Sequence, residues 1–236
     1  MTGSVELDNF VASFKQNFIE ENRWQYLVNG LGTTLFITFF AVLLGMILGF
    51  LVAIVRSTHD KTGKMKALNI ICKIYLTVIR GTPVVVQLLI IYFVIFASVP
   101  ISKNFVAVIA FGINSGAYVA EIVRSGIMSI DNGQLEAGRS LGLNYRQTMI
   151  SVIIPQAFKN VLPALANECI VLLKETSVAG YIAIQDLTKG GDIIRSQTFS
   201  AFMPLISVAV IYLIMVMILT RLVSKLERRL SASDRR

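Results

Sequence analysis

An all-α integral membrane protein of about five transmembrane helices is the fold class that this sequence predicts. Three observations predict it. Hydrophobic residues make up 55% of the chain and charged residues only 15%, where a soluble domain carries about a quarter charged. The apolar residues fall in runs of about 20, the length an α-helix needs to cross about 30 Å of hydrocarbon. The basic residues sit at the ends of those runs, where membrane spans carry them.

That placement also accounts for the net charge of +8. The cations flank hydrophobic runs instead of gathering on one soluble module, so nucleic acid is not the implied partner. Cys72 and Cys169 lie far apart in or near apolar stretches, which suggests neither a disulfide framework nor a metal site. His59 is the only histidine and has no metal-ligand company.

The first span is expected over residues 27–55, just after Trp24 and Tyr26, side chains that favour the headgroup level. The first 26 residues are polar and mixed in charge, and the run that follows is long enough to stay as a span instead of being removed as a signal peptide. Gly45 and Gly49 within it have the small-xxx-small spacing of close helix packing. A polar, basic stretch follows, with Arg56, Lys61, Lys64, Lys66 and Lys73. The second span is expected over 83–99 and the third over 105–122, joined by a short link. A polar segment from Arg124 to Gln147 precedes the fourth span, 149–173, which Pro155, Lys159, Pro163 and Glu168 interrupt. A loop with a turn at Gly190-Gly191 leads to the fifth span, 201–222. The tail cations Arg221, Lys225, Arg228 and Arg229 anchor the cytoplasmic leaflet. Lys and Arg are split 14 to 5 between the two sides, which places the N-terminus outside and the C-terminus in the cytoplasm.

Polar residues inside spans are costly and face the bundle interior or a path. Asn114, Tyr118, Glu121 and Ser125 recur at four, three and four, so they share one helical face. Glu121 is a candidate for a substrate ammonium group or, equally, for an ion pair with Arg124 or Lys159, or for a place at the cytoplasmic end of the span where water reaches it. Asn160, Asn167 and Lys174 repeat at seven, as do Glu168 and Glu175, giving a stripe that lines a path or meets a partner helix. Pro83 suits the first turn of a helix with Thr82 as its cap. Arg80 beside that end either meets a carboxylate, as half-helix N-termini do in transporters, or reaches the headgroups.

The segment Glu136-Ala137-Gly138-Arg139-Ser140-Leu141-Gly142 reads as a short cytoplasmic helix over about 132–143. Asp131 or Asn132 can cap it and Gly142 can end it in a left-handed turn. With Val152, Ile154 and Pro155 downstream, it resembles the EAA–G–IxLP coupling pattern of permease subunits in bacterial ABC importers. Gly138 stands for the second alanine, and Val152 and Ile154 for the pattern's Ile and Leu. Arg80-Gly81-Thr82-Pro83 with Gln87, and the segment from Asn114 to Ile127, both look like polar amino acid permeases.

The resemblance covers about Leu27 to Leu222. It implies a single permease domain, 1–236, with the type I importer fold, in the bacterial inner or plasma membrane. It implies that Glu136, Ala137, Gly138, Leu141 and Gly142 couple to separate ABC ATPase subunits. An extracytoplasmic binding protein would deliver an amino acid. A second permease subunit, the same chain or a similar one, would complete the path. Arg80, Gly81, Thr82, Asn114, Tyr118, Glu121, Asn167 and Glu168 are the candidate path residues. The chain has no GxxxxGK[ST] loop, so no cofactor is expected on it, and ATP and magnesium belong to the ATPase. A stand-alone secondary transporter or channel for small polar solutes is the alternative. It would explain the intramembrane polar groups but not the coupling pattern.

Overall fold

A computed structural model describes the backbone of residues 2–233 and the side chains of residues 8–228, so the predicted anchor Arg229 lies outside the described side chains. All the described elements are helical. A short helix α1 (Thr2–Phe14) and a tight joint precede α2 (Trp24–Thr62), α3 (Lys66–Gly81), α4 (Val84–Ile90) and α5 (Lys103–Met128). Then come α6 (Asn132–Ser140), α7 (Tyr145–Thr148), α8 (Ile154–Glu175), α9 (Leu187–Thr198) and α10 (Phe202–Ser233). Single π-helical turns extend α4 over Ile91–Ile95 and join α7 to α8 over Met149–Ile153. Four continuous stretches, 24–62, 103–128, 145–182 and 202–228, are long and apolar enough to cross a membrane. The pair α3 and α4, bent by 111°, makes a fifth if the two are counted as one broken span.

The bundle is built on α2 against α5. Along α2 the buried residues Leu27, Gly30, Thr34, Ile37, Ala41, Gly45, Gly49, Ala53 and Ser57 recur every three or four positions, one stripe of a helix. Its other faces expose Val28, Leu35, Phe39, Ile47 and Leu51. Lipid is as apolar as these side chains, so contact area and close approach hold membrane helices together. The glycines provide that approach. A Cβ on Gly49 would meet Val119 and stand 2.9 Å from the Gly116 carbonyl oxygen, and one on Gly112 would stand 2.7 Å from Leu44. In the most apolar stretch of α5, 72% of residues are buried, against 11% in α10. Hence α5 is the centre of the bundle and α10 faces outward.

Two parts of the sequence reading are corrected. The basic stretch after residue 55 is not a loop, because α2 continues to Thr62 and α3 occupies 66–81. Lysines on α3 alternate with Leu68, Ile70, Ile71, Ile74 and Val78, which stay exposed. The pattern is therefore an amphipathic helix, and the second span is α3 plus α4 in place of a straight run over 83–99. Gly190 and Gly191 do not form a turn either; both are inside α9. They are small because α9 presses on its neighbours: a Cβ on Gly190 would stand 2.5 Å from the Tyr26 carbonyl oxygen, and one on Gly191 would meet Val208.

Candidate functional site

The first candidate region is the break between α3 and α4. Thr82 is extended (φ −126°, ψ 149°), the backbone that a following proline imposes. The last carbonyls of α3 then need donors. The Thr82 hydroxyl donates to Val78 O at 2.8 Å, and Gln87 Nε2 donates to Ile79 O at 2.7 Å and Thr82 O at 2.9 Å. Asn114 Nδ2 donates to Gln87 Oε1 at 3.0 Å. Thr82 therefore closes the helix behind it and makes no cap for α4, whose N-cap is Pro83 with no side-chain hydrogen bond. Asn114 is buried and pins the break to α5. Gln87 is the member that the path set missed, although it stands beside the Arg80–Pro83 motif.

Two helical turns from Asn114 toward the α6 end of α5, Glu121 sits among three guanidinium groups. Arg56 lies 3.1 Å away, Arg124 3.5 Å and Arg80 3.9 Å. Arg124 also holds Asp60 of α2 at 3.1 Å. Arg80 stands 5.7 Å from the centre of the Tyr118 ring, within cation–π range. The cluster ties α2, α3 and α5 together. Arg80, the most exposed of its charges at 45%, is its loosest member. A cleft of about 480 Å³ opens beside it, lined by Arg80, Glu121, Ser125, Ser129, Asn160 and Ala164 among others. Gly81 lines a second cleft on the Arg56 side. Arg56 and Asp60 escaped the sequence reading because they fall past the predicted end of the first span.

The two faces of the α8 stripe separate. Asn160, Asn167 and Lys174 are exposed, and Asn160 opens into the cleft with Glu121. Glu168 turns inward, 8% exposed, and accepts a hydrogen bond from Ser115 of α5 at 3.0 Å. The path candidates thus fall into three groups: Thr82 with Asn114, Arg80 with Tyr118 and Glu121, and Glu168 with Ser115. Asn167 stands apart on the open face.

The second region is α6. Asp131 caps it by accepting from Gly133 N at 2.6 Å. At the other end Gly142 is left-handed (φ 82°). Leu143 N reaches Gly138 O at 3.0 Å and Gly142 N reaches Arg139 O at 2.9 Å, the paired closure of a Schellman cap. Leu141, held on that cap, is 81% exposed. Gly138 is buried against α7, where a Cβ would meet Thr148 Cγ2 and stand 2.8 Å from its Oγ1. A cleft lined by Lys61, Thr62, Leu135, Arg139, Gly142 and Tyr145 places the end of α2 beside α6.

At the opposite end of α2, Asp186 caps α9 by accepting from Thr188 N and Lys189 N. Burial holds its carboxyl above the ordinary range, against the pull of those N–H groups. Asp192, paired with Lys189 and Arg195, is held below its ordinary value by those hydrogen bonds. The two carboxylates, Lys189 and Tyr181 line a cavity of about 370 Å³.

Residues 45–232 match the model of the binding-protein-dependent transport system inner membrane component family. The crystal structure of an amino acid ABC transporter with histidines superposes with a TM-score of 0.81 at 42% identity, covering 90% of this chain and 98% of that one. The putative glutamine transport system permease protein GlnP of Rickettsia typhi is 36% identical over 87% of this chain and 93% of its own length. The arginine transport system permease protein ArtQ of Bacillus subtilis is 36% identical over 89% of this chain and 94% of its own.

Proposed function

The chain belongs to the family of binding-protein-dependent transport system inner membrane components, and from that premise we propose that the solute it carries is an amino acid. It is a multi-pass, membrane-spanning subunit of an ATP-driven importer, and ATP hydrolysis belongs to separate subunits. Family membership favours this reading over a stand-alone carrier or channel.

The observation that carries the coupling assignment is the exposed Leu141 on the Schellman cap of α6. An apolar side chain held outward on a rigid helix end, with a cleft beside it, fits a socket on another protein. We assign Glu136, Ala137, Gly138, Leu141 and Gly142 to the contact with the ATPase. The 14-to-5 split of Lys and Arg supports a cytoplasmic α6 and an extracytoplasmic N-terminus. The α9 side then faces the binding protein. A second permease subunit meets the open polar face of α8, because Asn160, Asn167 and Lys174 need water or protein around them.

Relatives named for glutamine and arginine differ in the side chain carried but share the α-ammonium and α-carboxylate groups. We assign the carboxylate to Arg80. The sequence reading offered Glu121 to the ammonium; its three guanidinium neighbours support a positioning role, holding Arg80. The ammonium then falls to Glu168, one turn beyond the cleft residue Ala164, while Asn167 stays on the open face.

The test is uptake of labelled glutamine and arginine into proteoliposomes holding the chain with its ATPase and binding protein. ATP-dependent uptake is expected, and Leu141→Asp should release the ATPase and abolish uptake without unfolding a side chain already in solvent. Uptake without the ATPase, or full coupling in Leu141→Asp, would overturn the assignment.

A further inference from the structure

We propose that α1 is an interfacial arm that lies in the membrane–water boundary with its apolar face in lipid. The adjacent Phe10 and Val11, and Phe14 four and three positions on, are 56%, 43% and 45% exposed. Asp8, Asn9, Ala12 and Gln16 are exposed on the other arc. This is the pattern of a helix that rests in an interface plane. At 13 residues, or about 20 Å, α1 is too short to cross the hydrocarbon.

Its joint to the bundle is built. Asn17 is fully buried. Its Nδ2 donates to Ser13 O at 2.8 Å and Ser200 Oγ at 3.3 Å, and its Oδ1 accepts from Thr198 at 2.8 Å. Phe18 packs in a cluster with Leu27, Leu187, Ile194 and Val208, and the Phe14 ring rests 5.1 Å from the Phe18 ring. Arg23 donates to Gln16 O at 2.6 Å. Glu21 and Asn22, both at φ 53°, turn the chain into α2. Such a joint fixes where α1 lies.

Lipid is the occupant because the apolar face is continuous with the exposed apolar faces of two helices long and apolar enough to cross a membrane. Ile19, Trp24 and Val28 continue it along the start of α2, and Phe202 and Leu205 do so on the outward-facing α10; all are exposed. Trp24 marks the headgroup level. The exposed Glu20 and Glu21 lie on the same joint as Lys15 and Arg23, so apolar burial and not headgroup charge would hold the arm.

Trp24 is the only tryptophan, so one reporter can be moved. In a Trp24→Phe background, Phe10→Trp is compared with Asn9→Trp and Ala12→Trp. The full chain is reconstituted in phosphatidylcholine vesicles brominated at acyl carbons 6 and 7. Each variant is first checked for parental elution volume and helix content. Phe10→Trp should be quenched several times more strongly by bromine than the other two, and less by aqueous acrylamide. Equal quenching at the three positions would overturn the proposal. Protection of Phe10→Trp from both quenchers would also overturn it, and would point to a second protein chain on that face.

Discussion

Adding one methyl group to α6 should uncouple the transporter, and removing one from α7 should restore it. Gly138 stands where the coupling pattern has alanine, and the reason is Thr148. A Cβ at residue 138 would lie 2.8 Å from Thr148 Oγ1 and closer still to Cγ2. Non-bonded carbons rest at about 3.5 Å or more. Thr148 is fully buried, and its hydroxyl is committed to Asn144 O at 3.1 Å, so it has no free rotation to offer. Overpacking of this kind costs about 1–3 kcal/mol, and the better helix propensity of alanine returns about 1 kcal/mol. The expected net loss is therefore about 1 kcal/mol. The geometric effect is larger in consequence, since α6 must tilt off α7 and carry Leu141 with it. Gly138→Ala should lower substrate-stimulated ATP hydrolysis in proteoliposomes several-fold with a small fall in Tm. Gly138→Ala with Thr148→Ser, which removes the obstructing methyl and keeps the hydroxyl, should recover most of both. Wild-type coupling in Gly138→Ala alone would refute the reasoning.

Three further outcomes are expected. Glu121→Gln leaves Arg56, Arg80 and Arg124 without their shared anion; stability in detergent should fall by about 2 kcal/mol and uptake should be lost, both read on the purified variant. Gln87→Leu strips the donor from the Ile79 and Thr82 carbonyls, and should cost about 1–3 kcal/mol while raising the KM for uptake through a loosened break. At Asp186, Asn keeps the cap and Ala removes it, so Asp186→Ala should lose about 1 kcal/mol in thermal unfolding while Asp186→Asn should not. Burial raises the Asp186 pKa on folding, so the stability contributed by its neutral form is present below the ordinary carboxylate range and lost as pH rises through the raised value. The Tm advantage of Asp186→Asn over wild type should therefore grow with rising pH across that window.

The long apolar runs made α2, α5, α8 and α10 legible, because lipid selects for length and hydropathy over any partner-specific pattern. The cap of α6 was legible too: Asp131 and Gly142 carry local backbone chemistry that needs no neighbour. What stayed hidden depends on neighbours. The lysines of α3 masked its apolar face, since reading charge as loop ignores that a helix can hold both. Gly190-Gly191 looked like a turn because two adjacent glycines signal flexibility in isolation, and only the Tyr26 and Val208 contacts show them to be spacers. The stripe of Phe10, Val11 and Phe14 was present in a segment that its charges made appear featureless. Glu121 was recognisable as a candidate, and its i+3 spacing to Arg124 offered one of its cations, but Arg56 and Arg80 come from two other helices and no spacing in the chain announces them.

The length of α2 has a mechanical consequence. Its 39 residues make a rod of about 58 Å, roughly twice the hydrocarbon thickness. One tip touches α9, where the Tyr26 carbonyl lies against Gly190; the other ends beside α6 at Lys61 and Thr62. The closest approach to α5, at Gly45 and Gly49, falls near the middle. Pivoting there by about 4° would displace each tip by about 2 Å in opposite directions, on the scale of helix shifts that switch other proteins. With a fulcrum at the glycines, the rod would act as a single lever across the membrane, and a push at α6 would carry to α9 through the helix itself once the Arg56–Glu121 and Asp60–Arg124 pairs yield.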